Sequence, residues 1–289
     1  MPRAFTLLGL LALAGCGAGV GTPNAKPATK ADAAHAADGE KLEGKLVVTG
    51  SSTCAPLVAE IGKRFEQRHP GVRVDVQTGG SSRGVADPQT GIADLGMASR
   101  ALKEDEARLV QAHTLALDGI CVILNKANPV TELGDAQVAA IYTGKIGTWN
   151  EVGGSEAAIT VVNKAEGRST LELFLRYFEL KSANVKASVV IGDNEQGLKT
   201  VAGNPDAIGY VSVGAAESAA RSGAPIKLLP MNGVAATVEN IRNGSFPLAR
   251  PLNLVTLPNP TGLKKAFIEF ALSKEVHDLI REQSFVPVE

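Results

Sequence analysis

The sequence predicts an α/β protein whose mostly parallel sheets are flanked by helices. Short apolar or alternating strand segments succeed one another with amphipathic stretches between them, and loops rich in glycine and serine separate strand from helix. The composition agrees: of 289 residues, 44% are hydrophobic and 20% charged, enough for one large or two medium domains. Lys plus Arg total 29 against 30 acidic residues, so no global positive field exists to hold a nucleic-acid backbone and no nucleic-acid partner is expected.

The first element is an address. Residues 1–16 carry one basic residue, Arg3, then an apolar stretch and the sequence Leu13-Ala14-Gly15-Cys16, which reads as a secretory signal peptide. Its LAGC ending resembles the lipobox of bacterial lipoproteins, so Cys16 is expected to carry a lipid anchor. Residues 17–43 are expected to form a disordered tether, since up to Lys41 there is no Ile, Leu, Met, Phe, Trp or Tyr to bury. An exported protein held at a membrane by its N-terminal lipid alone follows. Cys54 and Cys121 then face an oxidising compartment and either pair or stay as buried thiols, the second being favoured.

In the body, residues 46–49 form a strand, and Pro56 opens a helix with Leu57, Ile61 and Phe65 on one face, closed by His69-Pro70-Gly71. Val72, Val74 and Val76 alternate with polar residues as a half-buried strand. Further strands are expected at 93–98, at 115–124 with an interruption at Asp118-Gly119, and at 159–163, 189–191, 207–213 and 226–229. Helices are expected at 102–110, 169–180 and throughout 261–283, with Trp149 and Tyr142 in a core. No internal repeat is present.

Three loops stand out: Gly50-Ser51-Ser52-Thr53, Gly79-Gly80-Ser81-Ser82-Arg83-Gly84 and Glu166-Gly167-Arg168-Ser169-Thr170. Each follows a strand and precedes a helix. A serine or threonine there is an ordinary cap when taken alone. Recurrence, with Arg83, Arg100 and Arg168 nearby, points instead to an oxyanion pocket, because helix starts offer free N–H groups and a partial positive charge.

Together with these loops, the segments ADLGMASRAL, LDGICVILN, IYTGKIGTWNEVGG, VNKAEGRSTLELF and FPLARPL occur in an order that resembles the phosphate-binding protein of bacterial phosphate ABC transporters, over residues 44–289. The resemblance implies a two-lobed periplasmic-binding-protein-like (type II) fold, with residues 44–120 and 235–289 in lobe one and 121–234 in lobe two. The chain would cross between lobes near 118–124 and 230–236. It implies capture of inorganic phosphate by a monomer, delivery to an ABC permease, and no cofactor. Thr53 and the backbone of Cys54, Ser81 and Ser82, and Ser169 and Thr170 are the implied ligands.

Two departures from the family pattern matter. Arg100 stands where an aspartate is expected, and Lys164 where an arginine is, so the anion's guanidinium is expected from Arg168 or Arg100. A carboxylate accepts a hydrogen bond from hydrogen phosphate and repels sulfate. Asp118, Asp94 and Glu166 are the candidates for that acceptor. Sulfate or molybdate therefore remains an alternative ligand, and a sensor presenting the loaded state an alternative role.

Gly80-Ser81-Ser82-Arg83-Gly84 also fits the G-x-S-x-G elbow of hydrolases, which would make Ser82 a nucleophile. The four histidines, His35, His69, His113 and His277, offer poor bases by position. Val85 replaces the lysine of a P-loop, no metal-ligand spacing occurs, and Glu104-Asp105-Glu106 reads as a solvated helix start.

Overall fold

The computed structural model describes residues 42–288. The expected signal peptide, Cys16, His35 and the tether as far as residue 41 lie outside the described residues; residue 43 already belongs to the first strand. No helix among the described residues is long and apolar enough to cross a membrane.

In chain order the elements are β1 (Glu43–Gly50), α1 (Ala55–Arg68), β2 (Gly71–Thr78), α2 (Ser81–Thr90), β3 (Leu95–Ala98), β4 (Gln111–Asn125), α3 (Asp135–Tyr142), β5 (Thr160–Lys164) and α4 (Ser169–Tyr177). There follow β6 (Val189–Ile191), α5 (Asn194–Gly203), β7 (Ala207–Ser212), α6 (Val213–Arg221), β8 (Ile226–Leu228), α7 (Val238–Arg242), β9 (Ala249–Thr256), α8 (Gly262–Ala271), α9 (His277–Glu282) and β10 (Val286–Pro287). The spatial order β2-β1-β3-β9-β4-β7-β5-β6 makes one path of strands, with β8 and β10 added to β4.

Two large apolar cores flank that path, beside a small cluster of Val85, Ala98, Val110 and Val255. The first gathers Leu46, Val48, Leu57, Ile61 and Phe65 with Leu252, Leu254 and Phe267. Helix α1 turns that face inward because Pro56 sits in its first turn, where no backbone donor is missed, and Phe65 meets Phe267 edge-on at 5.3 Å. The second core holds Trp149, Tyr142, Phe174 and Tyr210, as the sequence suggested for the first two. Phe174 stacks on Tyr210 at 3.8 Å.

Strand β4 serves both cores. Residues 111–119 pair antiparallel with β9 and residues 120–124 with β7, so Leu115 and Ala116 fall in the first core and residues 120–124 in the second. The expected interruption at Asp118-Gly119 is absent from β4, which is continuous through both residues. Peripheral pairs β1·β2, β1·β3, β5·β6 and β5·β7 are parallel, while every pair made by β4 or β9 is antiparallel.

The return crossing differs from expectation. Met231, Ala236, Ile241, Phe246 and Leu248 still pack in the second core, so the chain rejoins the first along β9 and not at 230–236. Residues 102–110 hold only one tight 3₁₀ turn, Glu106–Arg108, because the Glu106 carboxylate folds back on the Lys103 N–H at 2.8 Å and on Arg100. The C-terminal helix breaks after Ala271, where the Ser273 hydroxyl donates to the Phe270 carbonyl at 2.8 Å.

Helix α2 lies flush on β1 and β3. A Cβ on Gly96 would stand 1.6 Å from the Gly84 carbonyl oxygen, and one on Gly84 would stand 2.1 Å from that of Met97. Only glycine allows this approach, and it fixes where the helix begins.

Candidate functional site

The three hydroxyl-rich loops meet. Ser51, Ser52 and Thr53, Gly80 and Ser81, and Arg168, Ser169 and Thr170 line one small cavity together with Ser99. Its volume, about 10 Å³, is room for roughly one water and far below the roughly 300–1,000 Å³ of organic-ligand pockets. The N-termini of α1, α2 and α4 all open on it, placing three partial positive charges around one small polar space. The larger hollow between Thr78 and Phe285 adjoins it, sharing Ser52 and Thr53, but carries no residue of the second or third loop.

The wall is a connected hydroxyl network. Ser51 Oγ donates to Ser99 Oγ at 2.9 Å, and Ser99 Oγ lies 2.6 Å from Ser169 Oγ. The Ser99 N–H donates to Ser81 Oγ at 3.1 Å. The Ser99–Ser169 contact joins the end of β3 to the start of α4, and Gly80 makes a second close approach to Gly167: at φ +95° a Cβ there would meet the Gly167 carbonyl at 2.5 Å. Glycine is required for both reasons.

Behind this wall sits Arg250, 2% exposed, which sequence reasoning passed over. It stands directly opposite Asp118 in the β4·β9 register. Its Nε and Nη2 donate to Asp118 Oδ2 at 3.1 and 2.9 Å, its Nη1 to Thr170 Oγ1 at 3.0 Å and Ser99 Oγ at 3.4 Å, and its Nη2 to Thr53 Oγ1 at 3.3 Å. One guanidinium thus orients a hydroxyl from the first loop, one from β3's end and one from the third loop. The motif FPLARPL held the residue, but its partner is 132 positions away.

Asp118 is fully committed. Besides Arg250 it accepts from Ser212 Oγ at 2.9 Å and from the Gly214 N–H at 3.2 Å, so it positions Arg250 and does not face the cavity as a proton acceptor. Asp94 accepts from the Val47 N–H at 2.9 Å, and exposed Glu166 from Ser182 Oγ. None of the three carboxylates lines the cavity.

Three other expected site residues also point elsewhere. Arg100 is buried but turns from the cavity to Glu106, at 2.7 and 2.8 Å, and to Glu172 of α4 at 3.0 Å. Ser82 Oγ donates to Glu172 Oε1 at 3.2 Å, so the serine of the elbow motif meets a carboxylate and no histidine. Glu106 is correspondingly an ion-pair partner and not a solvated helix start. Cys54 gives its N–H to Ser51 Oγ at 3.3 Å, and burial pushes its thiol up to about 11; both Cys54 and Cys121 are free and buried. Thr53, Ser81, Arg168, Ser169 and Thr170 do line the cavity.

A PBP superfamily domain model matches residues 26–275. The chain belongs to that superfamily. Within it, it is 31% identical to a phosphate ABC transporter substrate-binding protein from Clostridium perfringens solved with bound phosphate, covering 85% of this chain and 100% of that one at a TM-score of 0.78. It is 30% identical to an ABC-type phosphate transport receptor from Vibrio cholerae, again over 85% of this chain and 100% of that one, at a TM-score of 0.68. Over 92% of its length and 88% of the relative's, it is 27% identical to the phosphate-binding protein PstS of Bacillus subtilis (strain 168). The PBP-like match fits a two-lobed fold, and here two apolar cores are joined by β4 and β9.

Proposed function

We propose that this protein captures inorganic phosphate between its two lobes and delivers it to an ABC permease. The observation that carries the reading is the meeting of three helix N-termini and their hydroxyls at one small cavity backed by Arg250. Phosphate-binding relatives over nearly the whole chain support the ligand.

Capture requires both lobes. Thr53, Ser81 and Ser99 come from the first, and Arg168, Ser169 and Thr170 from the second, so an anion is fully surrounded only when they close, and binding shifts the population toward that form. Helix termini contribute about 0.3–2 kcal/mol each and charge-assisted hydrogen bonds about 1.5–3. A handful therefore reaches the roughly 8 kcal/mol of micromolar affinity. Because no carboxylate lines the wall, the phosphate hydroxyl would donate to a serine or threonine oxygen, which both gives and accepts hydrogen bonds. No bond of the ligand is broken.

The same reading places Cys16 as the lipid-bearing residue, residues 17–41 as the tether, and a monomeric body at the outer face of a membrane. Residues 44–120 with the stretch from β9 onward would be lobe one and the middle lobe two.

Calorimetric titration with phosphate, sulfate and molybdate tests the ligand: micromolar or tighter phosphate binding with weak or no sulfate heat is expected, and a preference for sulfate overturns it. Arg168→Ala is expected to weaken phosphate binding at least tenfold, roughly 1.4 kcal/mol, with little change in the melting temperature of the unliganded protein. An equal loss of stability would make Arg168 a cap and not a ligand.

A further inference from the structure

Lys164 ends β5 only 3% exposed. Its Nζ donates to Asn194 Oδ1 at 3.1 Å, and Asn194 Nδ2 donates in turn to Thr53 Oγ1 at 3.2 Å, on the cavity wall. The charged and titratable groups around it come from every neighbouring element. Asp193, the cap of α5, attracts the ammonium, while Arg250 of β9 and Arg168 before α4 repel it. The Tyr210 hydroxyl of β7 accepts the Lys164 backbone N–H at 3.2 Å and donates to Asn163. Asp118 of β4 is taken by Arg250. Among the described residues no carboxylate lies within ion-pair distance of Nζ.

A buried ammonium whose hydrogen-bond acceptor is a neutral amide, with two guanidiniums nearby, is held against its preference. Burial pulls the Lys164 pKa down to about 7, with Asp193 opposing and the two arginines adding to the fall. An anion in the cavity supplies the missing opposite charge.

We propose that phosphate capture is proton-linked through Lys164, the amine taking up a proton as the anion enters and so becoming a charge that the site acquires only when loaded. This rests on the phosphate reading above. The sign is fixed: when lysine is charged in both states, at acid pH, nothing is taken up. Above neutrality the unliganded amine is neutral and the loaded one is charged, so affinity falls as pH rises, by up to about tenfold per pH unit for one proton. Arginine at this position stays charged and has no such linkage.

The test is calorimetry of phosphate binding to the protein and to K164R at about pH 7 and about pH 8.5, in buffers of different ionisation heat. Phosphate's own protonation is common to both and cancels in the comparison. At the higher pH the unaltered protein is expected to take up close to one proton more per phosphate than K164R, and its affinity to fall at least fivefold more between the two pH values. Equal uptake with parallel pH profiles overturns the linkage while leaving phosphate binding intact; no phosphate heat at either pH overturns the phosphate reading and the linkage with it. Should K164R not fold, ¹⁵N-lysine NMR of the unaltered protein decides: the Lys164 amine is expected to titrate near neutrality alone and at least two pH units higher with phosphate, and an unmoved midpoint overturns the proposal.

Discussion

Arg250→Met is expected to lower stability by about 3–5 kcal/mol, the loss typical when one partner of a buried ion pair is removed. At about 2–4 °C per kcal/mol for a chain of this size, the melting temperature falls by on the order of 10 °C. The substitution leaves Asp118, 0% exposed, with only Ser212 and Gly214 as partners. It also releases the hydroxyls of Thr53, Ser99 and Thr170, so phosphate affinity is expected to drop roughly a hundredfold, the size of one or two charge-assisted bonds. The two losses separate in the double variant R250M/D118L. With no stranded charge it recovers much of the stability and none of the affinity. Thermal melts and calorimetry on both variants check this; a single variant that binds phosphate normally removes Arg250 from the site.

Gly96→Ala is expected to be nearly as damaging for a steric reason. The new methyl would overlap the Gly84 carbonyl at 1.6 Å, and neither backbone has room to yield, because Gly84 itself is pressed on Met97. Helix α2 must lift from β3, at a cost of about 3 kcal/mol or more, the upper end for overpacking. Lifting α2 withdraws Ser81 from the cavity and breaks its bond with the Ser99 N–H, so phosphate affinity falls together with the melting temperature. Gly147→Ala is the control: its Cβ meets nothing within 4 Å, and it is expected to change neither quantity measurably. A G96A protein as stable as the parent excludes the flush packing.

The loops that form the cavity were readable because their signal is local. Small and hydroxyl residues between an alternating strand and an apolar-periodic segment announce a helix start, and Thr53, Ser81, Ser169 and Thr170 stand where that logic places them. Side-chain direction was not readable. Arg100 and Arg250 are both buried guanidiniums beside the cavity, yet the first turns to Glu106 and Glu172 and the second to the hydroxyl wall. Glu106, six positions on, shares in the first choice, but Glu172 and Asp118 lie 72 and 132 positions away on other elements. The antiparallel pairing of β4 with β9 is likewise non-local, and it moved the return crossing from 230–236 to residue 249.

The facing of Asp118 and Arg250 on β4 and β9 has a consequence for the order of events. In the closure proposed above, these strands would be the fulcrum, where displacement is smallest. A guanidinium mounted there keeps its place in the gaping protein, while the serines and threonines travel with their halves. In that scheme the guanidinium behind the wall would hold its place while the hydroxyls of both halves close over an arriving ion. Opening at the permease would then undo the enclosure while the guanidinium on β9 stays with Asp118.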